Sequence, residues 1–245
     1  MLPPLELDQQ CDELAKLLQD CATKHVYRPG AYIFGQEESS QSVHLINSGM
    51  VKTVCADSAG GQLITGLRSR GWILGTSTVI LGTPHEDSAI AVNTSEIAEV
   101  PAGRFLSLLR TSTFLSWYVH TLQSSELADM AEQRLLLRDA GSGGRFTHFL
   151  CKLLKATGQN HFAEPVRISI PLKQYEIAQL VAVTPEHLSR LAKEMERRGM
   201  IRREKHSITV MNPRELSRSI HFDSPFGAEP ARLALASGFG IDSPQ

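Results

Sequence analysis

Cysteine is scarce: the sequence has four, at positions 11, 21, 55 and 151, and no two form a Cys-x-x-Cys pair. Such scatter argues against a zinc or iron–sulfur site built on closely spaced ligands and leaves small half-buried thiols as the plain reading. Long apolar runs are missing too, since nothing approaches the roughly 20 residues a bilayer-spanning helix requires. The N-terminus, MLPPLELDQQ, is acidic and lacks the basic-then-apolar order of a secretion signal, so a cytoplasmic protein without membrane association is expected. No nucleophile–base pairing, metal motif or strand–glycine loop–helix for phosphate occurs, so an enzyme is not expected. Net charge is almost absent, at −1.

That small total conceals a division. Residues 1–141 carry a net −6, 142–171 a net +3, 172–220 a net +4, and 221–245 a net −2. An acidic front and a basic back are what a chain shows when only one of its domains meets a polyanion. A length of 245 residues with 42% hydrophobic content suits one large or two modest domains with ordinary cores.

Residues 8–22 fit a short amphipathic helix through Cys11, Leu14, Leu17 and Leu18. The period then changes. KHVYRPGAYIFGQ, SVHLINSGMVKTVCAD, GGQLITGLRSRGWILGT and AIAVNTSEIAEVP are short runs rich in Val, Ile, Thr and aromatics. Turn residues separate them at intervals of about 8–12, the signature of an antiparallel sandwich or roll. From Gly103 the pattern is helical: a short helix, then a long one over about 112–139. Its stripe of Leu115, Val119, Leu122, Leu127, Met130, Ala131 and Leu135 shifts near Ser124-Ser125. Such a stripe suits a homodimer seam, or packing against the chain's own roll. DAGSGG at 139–144 reads as a break or hinge, RFTHFLCKLLKATG as a further helix, and EPVRISIPL as a strand.

The basic end is the most informative. In LKQYEIAQLVAVTPEHLSRLAKEMERRGMI two helical patterns meet at a turn of a few residues. The first shares a face among Ile177, Leu180 and Val181. Thr184 is a good N-cap and Pro185 suits the first helical position, where no donor is needed, so this pair starts the second helix abruptly. Leu188, Leu191, Ala192 and Met195 point inward, while Glu186, Ser189, Arg190, Lys193 and Arg197 line the opposite side. Two short helices with this junction form a helix-turn-helix, whose second helix enters a major groove and reads bases from its first turns. Arg190 suits guanine O6 and N7, Glu186 suits cytosine N4, and Thr184, His187, Lys193 and Arg197 lie within reach of the backbone. Charge alone fits equally a solvated helix laced with Glu186–Arg190 and Glu194–Arg198 ion pairs. The following MIRREKHSITVMNP weighs against that, because it is a hairpin pattern placing Arg202, Arg203 and Lys205 beside phosphates as a wing.

These segments in this order resemble the CRP/FNR family of bacterial transcription regulators over roughly residues 10–220, and EHLSR resembles the E-x-x-S-R recognition signature of its FNR-type branch. The resemblance implies an α+β fold with three parts: an N-terminal antiparallel β-roll sensor domain of the cyclic-nucleotide-binding jelly-roll type (1–110), a long dimerisation helix (111–140) and a C-terminal winged helix-turn-helix (141–220); the tail at 221–245, rich in Ser, Pro, Gly and Ala, is expected to be flexible from its composition. The resemblance makes Glu186, Ser189 and Arg190 the readers of TTGAT-like half-sites in an inverted repeat. It also implies double-stranded DNA, a second copy of the chain and RNA polymerase as partners. Ala182 stands where the family usually has glycine in the turn, which implies a stiffened or slightly re-aimed second helix.

The sensor departs further. Cyclic-AMP-binding members carry a Gly-Glu pair for the ribose and an Arg-Ser pair for the phosphate. Here Gly75-Thr76 and Asp87-Ser88 occupy those places, and an aspartate in place of the arginine sets an anion beside an anion. Met130 and Ala131 fall where adenine-contacting hydroxyls are expected. The site is therefore read as degenerate, without tight cyclic-nucleotide binding. Cys11 and Cys21 are too few and too far apart for the iron–sulfur cluster of oxygen-sensing members. His25, His44, His85 and His120 lie in the sensor half with no haem-ligand motif around them. No cofactor is expected, an effector of another kind stays open, and the rival reading is a ligand-binding signal-relay protein built on the same roll.

Overall fold

The computed structural model describes residues 7–56, 61–156, 165–204 and 207–218. The expectations for Lys205 and for the tail at 221–245 lie outside them. The chain divides into two compact units, Met1–Ser124 and Ser125–Gln245.

The first unit opens with α1 (Leu7–Leu18), which buries Cys11, Leu14 and Leu18 at helical spacing. Next come β1 (Thr23–Tyr27), β2 (Tyr32–Phe34), β3 (Ser42–Ser48), β4 (Met50–Ala56), β5 (Gln62–Ser69) and β6 (Ile73–Leu74). Then follow α2 (Thr76–Leu81), β7 (Ser88–Ala91), β8 (Ser95–Pro101) and α3 (Ala102–Thr111). The strands form two antiparallel four-stranded sheets, ordered β1-β8-β3-β6 and β2-β7-β4-β5. This is the roll expected from the alternating runs. Val43, Leu45, Met50, Val51, Ile97 and Val100 of these strands are buried, and α3 adds a fully buried Phe105. Burying such a ring is worth about 1.5–3 kcal/mol. Gly49 joins β3 to β4 at φ 91, and a Cβ there would meet the Cα of Ser95 at 2.6 Å, so only glycine fits this turn.

Helix α4 (Thr113–Asp139) starts in the first unit and ends in the second. Its apolar residues change surroundings along its length. Leu115, Val119 and Leu122 are buried, beside Tyr118, whose hydroxyl donates to the Gly71 carbonyl at 2.8 Å. Beyond Ser125 the helix exposes Leu127 at 68% and Met130 at 51%, and buries Leu136 where the sequence pattern pointed to Leu135.

In the second unit α5 (Ser142–Ala156) begins earlier than the glycines suggested. Gly143 and Gly144 lie in its first turn, where amides need no intrahelical acceptor, and the break narrows to Ala140–Gly141. After it come β9 (Val166–Ser169), α6 (Gln174–Leu180), α7 (Pro185–Arg197), β10 (Ile201–Glu204), β11 (Ser207–Val210) and α8 (Pro213–Arg218). Strands β10, β11 and β9 form one antiparallel sheet in that order, which is the wing. Phe146, Leu150, Leu153, Leu188, Ile201 and Val210 share its core.

Candidate nucleic-acid interface

The site is built at the junction of α6 and α7. Helix α6 is held at its start by Glu176, a buried carboxylate that accepts from the Lys173 amide at 2.7 Å. Of the face expected from Ile177, Leu180 and Val181, Val181 is buried and the other two are half-buried, while Ala178 goes inside beside Val181. At the turn Ala182 takes φ 55, a left-handed conformation that costs a non-glycine residue about 1 kcal/mol. The turn thus keeps the geometry glycine would give it. The amides of Ala182 and Val183 close back on the carbonyls of Gln179 and Ala178, each at 2.9 Å. Thr184 then caps α7, its hydroxyl accepting from the His187 amide at 3.2 Å, and Pro185 follows at the first helical position. Gly199, at φ 69, ends the helix.

Two side chains from the start of α5 hold this junction, and neither stood out in the sequence. Arg145 donates through Nε to the Val181 carbonyl at 2.9 Å, through Nη2 to the Ala182 carbonyl at 3.0 Å, and through Nη1 to the Ala140 carbonyl at 2.9 Å. One planar guanidinium therefore ties the turn to the end of α4. Ser142 Oγ lies 2.8 Å from Nε2 of His187.

On the outer side of α7, Glu186, Arg190 and Lys193 are exposed, and Ser189 is half-buried between them. The Glu186 carboxyl sits below its ordinary range, first because its own amide donates to it at the helix start, then through the Thr184 hydroxyl. It is thereby kept as an acceptor, the state that cytosine N4 requires. Among the described residues no ion pair joins Glu186 to Arg190. Arg190 Nη2 lies instead 3.3 Å from Nδ1 of His187. The ion-pair pattern does hold at the far end, where Glu194 accepts from Arg197 at 2.9 Å and from Arg198 at 2.7 Å. Those bonds bring the Glu194 carboxyl down to about 2. Arg197 is thus engaged with Glu194. Arg203 is engaged as well, through Nε with Glu196 at 2.8 Å, because β10 folds back along α7; the sequence had placed it beside phosphates. Arg202 points outward.

In the roll, Gly75 precedes α2 at φ 75, and a Cβ there would come within 3.0 Å of the His85 ring. Thr76 Oγ1 donates to the Ile73 carbonyl at 2.9 Å, and Ser88 Oγ accepts from the Gln36 amide at 3.0 Å. Asp87 lies 3.0 Å from Thr65 Oγ1, itself 2.7 Å from Thr53 Oγ1. A carboxylate only accepts, so the hydroxyl protons run from Thr53 to Thr65 to Asp87. The side chains of Thr76, Asp87 and Ser88 are therefore all engaged in local hydrogen bonds. Nearby, His85 stacks on Phe34 at 3.8 Å between ring centroids and meets Thr78 Oγ1 at 3.1 Å. His44 packs on the same ring at 5.4 Å, its Nδ1 without a hydrogen-bond partner among the described residues. Burial lowers both histidines, His44 to about 4.

Comparison with known proteins agrees with this architecture. Residues 24–112 match the cyclic nucleotide-binding domain and residues 144–219 match the Crp-like helix-turn-helix domain. The electron transport regulator A of Shewanella oneidensis is 26% identical over 212 residues, 86% of this chain and 81% of that protein. The fumarate nitrate reduction regulatory protein of Klebsiella oxytoca is 25% identical over 206 residues, 84% of this chain and 80% of that one. Among solved structures, FixK2 from Bradyrhizobium japonicum shares the fold with a TM-score of 0.72 at 19% identity, covering 82% of this chain and 98% of that chain. Among the described residues, no helix is long and apolar enough to cross a membrane.

Proposed function

Because the chain belongs to the CRP/FNR family of transcription regulators, we propose that it acts as a homodimeric, sequence-specific DNA-binding regulator rather than an enzyme. It recognises a TTGAT-like inverted repeat through Glu186, Ser189 and Arg190, with Thr184, Lys193, Arg202 and the wing at the backbone; His187, expected there too, has both ring nitrogens taken up by Ser142 and Arg190. The observation that carries this reading is the outer face of α7: Glu186, Arg190 and Lys193 are exposed and free of ion pairs among the described residues, while the inner face is buried. Support for the dimer comes from the second half of α4, where Leu127 and Met130 are exposed three residues apart, a spacing found in coiled-coil seams. Two copies would set two α7 helices about one DNA turn apart.

Regulation is proposed to be independent of cyclic AMP. Asp87 is a carboxylate where the resemblance puts the phosphate-binding arginine, and it is already satisfied by Thr65. The same reading includes no iron–sulfur cluster and no haem, keeps the roll open to another small-molecule effector, and has the protein work in the cytoplasm with RNA polymerase. The test is a gel shift on a TTGAT inverted repeat and a scrambled duplex, with and without cyclic AMP. Tight binding to the repeat alone, unaffected by cyclic AMP and falling steeply with salt, is expected. Equal binding to both duplexes overturns the base reading, and a requirement for cyclic AMP overturns the sensor reading.

A further inference from the structure

We infer that His187 is a positioning residue that aims Arg190, and that it is itself held by Ser142 at the start of α5. The inference rests on the base-reading role of Arg190. The ring of His187 lies between two side chains, with Nδ1 3.3 Å from Arg190 Nη2 and Nε2 2.8 Å from Ser142 Oγ. A guanidinium has donors only and stays protonated, so Nδ1 must be the acceptor. An imidazole that accepts at Nδ1 carries its proton on Nε2, so it donates to Ser142. One directed path therefore runs from Arg190 through His187 to Ser142, and from there to the break at Ala140–Gly141.

This path performs a definite task. Arg190 is exposed, and an unheld arginine side chain spreads over many rotamers. The bond to His187 uses one of its five N–H groups, sideways along the helix. Enough donors remain for a bidentate contact to guanine. His187 in turn cannot swing away while Ser142 holds its far nitrogen. The device thus makes the reading of one base pair depend on the placement of α5's first residue.

The experiment measures binding of the full chain to two duplexes: the intact repeat, and the repeat altered at the base pair where Arg190→Ala loses preference. His187→Ala is expected to weaken the intact repeat about five- to tenfold, the worth of one charge-assisted hydrogen bond reduced by its exposure to solvent. It should leave the altered repeat unchanged and add nothing in an Arg190→Ala background. His187→Asn, whose Oδ1 falls near the position of Nδ1, should restore most of the preference. Ser142→Ala should give a smaller loss of the same kind that disappears when His187 is alanine. In the wild-type protein, 15N NMR of the ring should show the proton on Nε2. A His187→Ala loss that is equal on both duplexes, a loss that persists without Arg190, or a proton on Nδ1 overturns the inference while base reading stands. If Arg190→Ala leaves preference unchanged at every base pair, base reading itself falls and takes this inference with it.

Discussion

Arg145 offers the sharpest structural prediction, because one side chain makes three bonds, two of them to residues far away in sequence. In Arg145→Ala the carbonyls of Val181, Ala182 and Ala140 lose donors at 2.9, 3.0 and 2.9 Å. A hydrogen bond to a charged group contributes about 1.5–3 kcal/mol when buried. These are part-buried to exposed, so about 1 kcal/mol each is the appropriate figure, or about 3 kcal/mol in all. The loss falls on the α6–α7 turn, where Ala182 already holds a disfavoured conformation. With two compact units, a single global unfolding free energy is a poor readout, and local opening is the better one. Hydrogen exchange read by mass spectrometry should show the amides of α6 and the first turns of α7 exchanging about a hundredfold faster. Those of β3 and β8 should be unchanged. Arg145→Lys has one ammonium for three acceptors and should recover about a third of the effect. Unchanged exchange at the turn in Arg145→Ala, or full recovery by lysine, refutes the clamp.

Three further predictions follow from single observations. His44 is buried and its imidazole is held down to about 4 from the ordinary 6.5, so the unfolded chain binds a proton that the folded one refuses. Its contribution is complete above pH 6.5 and drains as pH falls toward 4, about 3 kcal/mol in total. His44→Leu should flatten this acid limb in urea titrations at pH 7 and 5, and an identical limb in the variant would count against it. Ala182→Gly should raise the stability of the second unit by about 1 kcal/mol, since glycine accepts a positive φ without strain; a lowered denaturation midpoint would contradict the turn geometry. Replacing both Leu127 and Met130 by Glu should yield monomers in light scattering with the roll intact, and a persistent dimer would show that α4 is not the seam.

Much of this molecule was legible where local chemistry decides. Thr184-Pro185 announces the start of α7 because a hydroxyl cap and a residue without an amide proton suit only that position. The alternation of Ile208 and Val210 announces the wing, and the spaced apolar runs announce the roll. What escaped depends on distant partners. Arg145 follows three glycines in a way that looks like any hinge-flanking charge, and its acceptors lie 36 and 37 residues away. Arg203 and Glu196 meet only because Gly199 turns β10 back along α7. Ala182 stands out in the sequence as a replacement for glycine, but alanine is a strong helix former, so its positive φ comes from the turn and not from its own preference. Along α4 the apolar stripe is visible in the sequence, but that Leu115, Val119 and Leu122 are buried while Leu127 and Met130 are exposed depends on what packs against each.

Selection of binding sites from a random DNA pool, run in parallel with the wild-type chain and Arg190→Ala, probes the recognition surface most directly. The wild type should enrich a TTGAT-like inverted repeat with half-sites about one helical turn apart. Arg190→Ala should relax a single position in each half-site, a difference of about 1–3 kcal/mol, with the remaining positions kept. An unenriched pool, or the same motif at the same strength from both proteins, contradicts the assignment of α7 as the reader.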